Sequence, residues 1–192
     1  MMSEEFISSV VCVTSRQLVE GDFLEQIEKI AALGIKTIIL REKDLAEDEY
    51  YELAKSVNEI CKKHNTRLII NTFYDVAIRL GIDAVHLPLP VLEELDFSKR
   101  AQFREIGTSV HSISDMAFAR QLGATYVIAG HIFPTDCKKG LPGRGLDFLS
   151  SIVLTSGRMP VYAIGGITEE NIEKVVATGA AGGCVMSALM KM

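Results

Sequence analysis

Short apolar runs alternate along this chain with longer stretches whose apolar residues recur every three or four positions. The runs Ile7–Thr14, Thr37–Leu40, Arg67–Asn71 and Ala84–Leu87 are rich in β-branched residues and read as buried strands. So do Glu105–His111, Tyr126–Phe133, Pro160–Gly166 and Gly183–Met186. Between the first two runs, Phe23, Leu24, Ile27, Ile30, Ala31 and Leu33 recur at helical spacing, with Asp22 placed to cap and Gly34 to stop. Glu47 to His64 predicts a long amphipathic helix with Tyr50, Leu53, Ala54, Val57, Ile60 and Cys61 on one face. Further helical stretches are expected over Tyr74–Leu80, Val91–Phe103, from Ser112 or Ser114 to near Gly123, over Asp147–Ser156, and from a Thr168 cap to Gly179.

Strict alternation of short strands and amphipathic helices implies parallel pairing through right-handed crossovers. Eight such units predict an α/β fold, a single (β/α)8 TIM barrel occupying residues 1–192 as one domain. Only six residues follow the eighth run, so the C-terminal helix is expected to be truncated, leaving apolar barrel surface that a second copy in a homodimer could cover.

Composition narrows the partners. The formal net charge is −5, which argues against a nucleic-acid or acidic-membrane partner, so an anionic ligand needs a local basic cluster. The N-terminus has two acids before its apolar run and no basic region, unlike a signal peptide, and no apolar stretch approaches the ~20 residues of a membrane span. The four cysteines form no C-x-x-C pair. Together these features imply a reduced, cytoplasmic protein.

In such barrels chemistry sits at the carboxyl ends of the strands. Those ends carry Thr14 and Ser15, Arg41 and Lys43, Asn71, His86, Ser109 with His111, His131 with Lys138, Gly165–Gly166, and Ser187. Gly165 and Gly166 let backbone N–H groups approach an anion, and Ser187 adds a hydroxyl at a helix start, the pattern of a phosphate site. The plainer reading of the glycine pair is a tight strand–helix turn. Arg41 offers a bidentate fork and Lys43 a point charge for phosphate or carboxylate; the alternative is exposed pairing with Glu42 or Asp44.

The segment Gly130–Gly145, GHIFPTDCKKGLPGRG, is the most chemically loaded part of the chain. Loops longer than about a dozen residues are uncommon in a compact domain and are usually functional or disordered, so the plainer reading is a mobile, solvated surface loop. His131 at its root can both take and give a proton near neutral pH, Lys138 adds a cation, and His86 and His111 are rivals for the proton-transfer role.

Taken together, LREK (Leu40–Lys43), IIN (Ile69–Asn71), SVHS (Ser109–Ser112), the IFPT…K loop, AIGGI (Ala163–Ile167) and VMSAL (Val185–Leu189) resemble the thiamine phosphate synthase superfamily, in order across essentially the whole chain. GHIFPTDCKKG…GRG is specifically similar to the thiazole tautomerase branch. That resemblance implies an isomerase of thiamine biosynthesis, aromatising a carboxythiazole phosphate tautomer with His131 as base and then acid, and with no cofactor or metal. It further implies that Gly165, Gly166 and Ser187 hold the phosphate, with Arg41, Lys43, Asn71, Ser109 and Lys138 as further substrate contacts. The synthases instead join a pyrimidine pyrophosphate to a thiazole phosphate using magnesium, which prefers carboxylate oxygens. The family pattern places an Asp directly after the strand-three Asn, where this chain has Thr72, and another after the strand-four turn, where it has HLPLPVLEELD. Two alternatives stand beside the tautomerase: a magnesium-dependent synthase with relocated ligands, and a non-catalytic regulator that binds a phosphorylated ligand.

Overall fold

A four-residue strand flanked by parallel neighbours must bury side chains on both faces, and these strands are composed accordingly. A computed structural model describes residues 2–135 and 140–192. Its strands are β1 (Val10–Val13), β2 (Thr37–Leu40), β3 (Arg67–Asn71), β4 (Ala84–Leu87), β5 (Glu105–Val110), β6 (Tyr126–Gly130), β7 (Val161–Ile164) and β8 (Gly182–Val185). Each pairs in parallel with the next, and β8 pairs with β1 through Val10↔Gly183 and Val11↔Cys184, closing an eight-stranded barrel. The fold is a (β/α)8 barrel.

The period of two along each strand sorts the side chains into two layers. Cys12, Ile38, Leu40, Ile70, Val85, Leu87, Val127 and Ala129 face outward and pack with helix residues such as Ile27, Ile30, Tyr50 and Leu149. Val11, Val13, Ile39, Ile69, Tyr126, Ile128 and Cys184 fill the interior as a second cluster. The same parity decides the site. Arg41, Asn71, His86, Ser109 and His111 lie two residues, or multiples of two, from inward positions, so all belong to the barrel's inner face.

The helices that cover the barrel are α1 (Glu4–Ser9), α2 (Phe23–Ala32), α3 (Glu47–Lys63), α4 (Tyr74–Leu80), α5 (Leu89–Glu94), α6 (Phe97–Arg100), α7 (Ile113–Gln121), α8 (Gly145–Ser156), α9 (Ile172–Val176) and α10 (Ser187–Met190). Asp22 caps α2 by accepting from Glu25 N at 2.9 Å, and Ser112 caps α7 by accepting from Asp115 N at 3.0 Å. The last helix is one turn, the stub expected. No helix among the described residues is long and apolar enough to cross a membrane.

Several expected boundaries move, by one or two residues at β5, β7, β8 and α8, and further at four places where the reason is visible. Ile7–Ser9 end α1 rather than begin β1, because Ser3 caps that helix and Glu4 and Glu5 occupy its first turn. The stretch Val91–Phe103 is two helices, since Leu95 is extended and Asp96 caps α6 by accepting from Lys99 N. The last α-helix before β8 begins at Ile172 rather than at Thr168, whose carbonyl accepts from both Asn171 N and Ile172 N. Strand β6 stops at Gly130 rather than Phe133. Beyond it, successive amides Ile132 N and Phe133 N donate to successive carbonyls Ile164 O and Gly165 O, at 2.9 and 3.0 Å, where a parallel ladder would use alternate residues.

Candidate active site

The inward positions at the carboxyl ends of the strands surround a cavity of about 520 Å³. Its described lining includes Arg41, Lys43, Asn71, Thr72, His86, Ser109 and His111, with apolar walls from Val13, Ile39, Ile128 and Ile164 and a rim of Pro88, Leu89 and Pro90. Among the described residues it is lined by two basic side chains, Arg41 and Lys43, and by no carboxylate. Apolar walls with a few convergent polar groups are the usual form of a small-ligand site.

The acids next to Arg41 in sequence are turned to other work. Thr14 Oγ1 accepts from Arg41 N at 2.9 Å and donates to Glu42 Oε1 at 2.6 Å. The Glu42 carboxylate, 3% exposed, also accepts from Arg16 N at 3.0 and 3.1 Å. Burial raises the Glu42 pKa, and the hydrogen bonds from Thr14 and Arg16 oppose that rise. The Arg16 guanidinium also pairs with Asp44. Arg16 thus holds both neighbouring acids, and among the described ion pairs Arg41 takes neither. The Thr14–Glu42–Arg16 network carried no local signal in the sequence beyond the position of Thr14 at a strand end.

Asn71 ends β3, is 7% exposed, and donates through Nδ2 to Thr72 Oγ1 at 2.8 Å. Thr72 has φ +68, unusual for a β-branched residue. Its amide donates to His86 O at 2.9 Å and its carbonyl accepts from Tyr74 N at 2.9 Å, which hold the turn in place.

His86 lies on β4, buried at 6% exposure, with Nδ1 3.1 Å from the Tyr126 hydroxyl and Nε2 2.9 Å from Ser109 Oγ. Burial, and then the positive charges of Arg41 and Lys43, push its pKa down to about 3, so the ring is neutral at physiological pH. His111 approaches Gly130 O through Nδ1 at 2.9 Å, so Nδ1 carries the donated proton. Both rival histidines therefore line the cavity.

His131 is the first residue past β6 and is half-buried, with Nε2 3.4 Å from Leu141 O. It is not among the described lining of the cavity. Gly165 (φ +100) and Gly166 (φ +64) directly follow β7. A Cβ on Gly165 would lie 2.4 Å from the His131 Cβ, and one on Gly166 would lie 2.5 Å from Pro134 O. The glycine pair thus admits the close approach of residues 131–134. Ser187 is the exposed first residue of α10, which follows β8, the strand next to β7 in the barrel. Lys138 and Cys137 lie outside the described residues.

Among the described residues there is no group of three or more His, Cys, Asp or Glu able to hold a metal ion. Asp75, the acid nearest in sequence to Asn71, accepts from Lys99 Nζ at 2.9 and 3.2 Å. Glu93 and Glu94 are exposed on α5. Neutral oxygens at Asn71 and Thr72, beside two cations, are a poor donor set for a hard divalent ion. The described residues do not fit a magnesium site.

The family profile described as Thiamine monophosphate synthase matches residues 10–189. A thiamine-phosphate synthase of Syntrophomonas wolfei is 34% identical over 189 residues, covering 95% of this chain and 88% of that protein. One from Clostridium tetani is 31% identical, covering 99% of this chain and 91% of that protein. The solved structure of a thiamine phosphate pyrophosphorylase from Pyrococcus furiosus superposes with a TM-score of 0.80 at 29% identity, over 98% of this chain and 90% of that one. These relatives are named as a synthase or pyrophosphorylase of thiamine phosphate, a transferase and not an isomerase, which overturns the isomerase expected from the His131 loop and favours the condensing alternative. A matched profile across all eight strands, and relatives above 30% identity that cover 95% or more of the chain, place the chain in the thiamine monophosphate synthase family.

Proposed function

We propose that this protein is a transferase of thiamine phosphate formation that takes a pyrophosphate-bearing substrate into the cavity at the carboxyl end of the barrel. The observation that carries this reading is the cavity's charge: Arg41 and Lys43 line it, no described carboxylate does, and Arg16 holds the adjacent acids away. A departing pyrophosphate gains negative charge as its bond breaks, and fixed cations at that position lower the barrier. Ser109 and Asn71 line the cavity and add neutral polar contacts, and Gly165, Gly166 and Ser187, which follow β7 and the neighbouring β8, are assigned here to a second phosphate. The names of relatives spanning the chain support the same assignment.

The test is direct. Purified protein supplied with pyrimidine pyrophosphate, thiazole phosphate and magnesium should yield thiamine phosphate, and Arg41→Ala should lower that rate. Absence of product across a range of magnesium concentrations rejects the transferase. One observation favours a second reading, a barrel that binds phosphorylated thiamine intermediates without turnover: the described residues do not fit a magnesium site. That reading expects thiamine phosphate or pyrophosphate to bind with micromolar to millimolar affinity while coupling stays at background.

A further inference from the structure

Three adjacent strands build an arrangement inside the barrel that the reaction chemistry leaves unexplained. His86 on β4 is directly opposite Gly107 on β5, and Gly107 is opposite Tyr126 on β6. All three point inward. A Cβ on Gly107 would lie 2.0 Å from Tyr126 Cζ and 2.4 Å from its hydroxyl oxygen. The missing side chain is therefore the gap through which the phenol crosses a whole strand to reach His86 Nδ1 at 3.1 Å. Tyr126 and His86 are also in tilted ring contact, with centroids 5.6 Å apart. On its other edge His86 places Nε2 2.9 Å from Ser109 Oγ, which lines the cavity.

Proton counting settles the direction of this chain. Tyr126 is 4% exposed, and the hydroxyl's described partner is His86 Nδ1. Were Nδ1 protonated, the phenol proton would be buried with no acceptor, the costly situation for a polar hydrogen. The phenol must therefore donate to Nδ1. In a neutral ring the proton then sits on Nε2, which donates to Ser109 Oγ. With its oxygen already accepting, the Ser109 hydroxyl has its own proton to give, and the space it faces is the cavity.

We propose that Tyr126 and His86 are positioning residues that set the Ser109 hydroxyl as a hydrogen-bond donor to a phosphate oxygen of the ligand. The proposal rests on the reading that the cavity takes a phosphorylated ligand. It assigns the relay no proton transfer: His86 keeps one tautomer, and Tyr126 stays protonated. A hydroxyl free to rotate would spend part of its time as an acceptor, repelling an anion. A fixed donor removes that reorganisation before the ligand arrives.

Two measurements on the intact chain test this. Long-range 1H–15N correlation of 15N-histidine-labelled protein at pH 7, with His86 identified by its loss in His86→Gln, should show a neutral ring protonated on Nε2. A ring protonated on Nδ1, or an imidazolium, overturns the relay. Calorimetry with inorganic pyrophosphate should show Ser109→Ala weakening binding roughly fivefold, the worth of about one hydrogen bond. Tyr126→Phe should weaken it by a similar or smaller factor and have no effect in the Ser109→Ala background, while the His86 signal shifts toward mixed tautomers. Wild-type affinity in Tyr126→Phe, or losses that multiply in the double variant, overturn the proposal. Absence of pyrophosphate binding by the wild type removes the ligand role along with the transferase reading. Normal binding with the wrong tautomer removes the relay alone.

Discussion

Arg41 is held at its backbone by Thr14 Oγ1 and lines the cavity while Arg16 takes the neighbouring acids. A guanidinium that makes none of the described ion pairs is available to an anionic ligand. Arg41→Ala should weaken pyrophosphate binding by roughly 10- to 100-fold, the scale of a charged hydrogen bond, and Arg41→Lys should recover only part, since a point charge lacks the bidentate fork. Isothermal titration at low and moderate salt reads both. His86 carries a second residue-level prediction. Its folded pKa is pushed down to about 3 by burial and by the Arg41 and Lys43 charges, whereas an unfolded histidine titrates near 6.5. Between those values the unfolded chain binds the extra proton. Stability is therefore full above pH 6.5 and is lost as the pH falls toward 3, at up to about 1.4 kcal/mol per pH unit from this group. Urea unfolding of the wild type should weaken by up to ~2 kcal/mol from pH 6.5 to 5, and His86→Gln should flatten that slope. An unchanged slope in the variant would mean that the ring is not held neutral by the fold.

Strand β5 shows what an element contributes beyond its residues. Its inward row is Glu105, Gly107, Ser109, and the middle position is empty so that a tyrosine from β6 can pass over it. Gly107→Ala forces a methyl into the Tyr126 ring with barrel backbone behind it, and overpacking of this kind costs about 1–3 kcal/mol. The urea midpoint should fall, and the tyrosine–histidine contact should be lost. At this scale the sequence was legible where periodicity was unbroken: β2, β3, β4 and α4 begin and end where their apolar patterns do. It misled where one apolar run served two elements. Ile7 to Val13 looks like a single strand, yet the Ser3 cap and two early glutamates wind its first half into α1. The β6 pattern ran on through Ile132 and Phe133 because both are apolar, but their amides bond to successive carbonyls of the β7 end instead of continuing the ladder. Burial without strand geometry looks the same in a sequence.

At the scale of the whole molecule, a protein of formal net charge −5 presents a mouth lined by Arg41 and Lys43, with Glu42 and Asp44 paired to Arg16. Local charge, not net charge, then governs capture of an anion. The association rate of pyrophosphate measured by stopped flow should fall as ionic strength rises, whereas net repulsion would make it climb. Strand alternation and parity were enough to assemble Arg41, Lys43, Asn71 and Ser109 around one cavity from sequence. The role of His86 was not legible in the same way, because its partner Tyr126 is forty residues away and looks like an ordinary apolar strand start. Nor could the long loop's residues decide the reaction, since a histidine and a lysine in one loop suit several chemistries and the relatives carry a synthase name. The passage of Tyr126 over Gly107 has one more use. The chain has no tryptophan and five tyrosines, so its near-ultraviolet emission is dominated by phenols. Tyr126 is bonded to a ring that touches the ligand-facing serine, so filling the cavity should change its lifetime and yield, giving the protein an optical gauge of occupancy with no label attached.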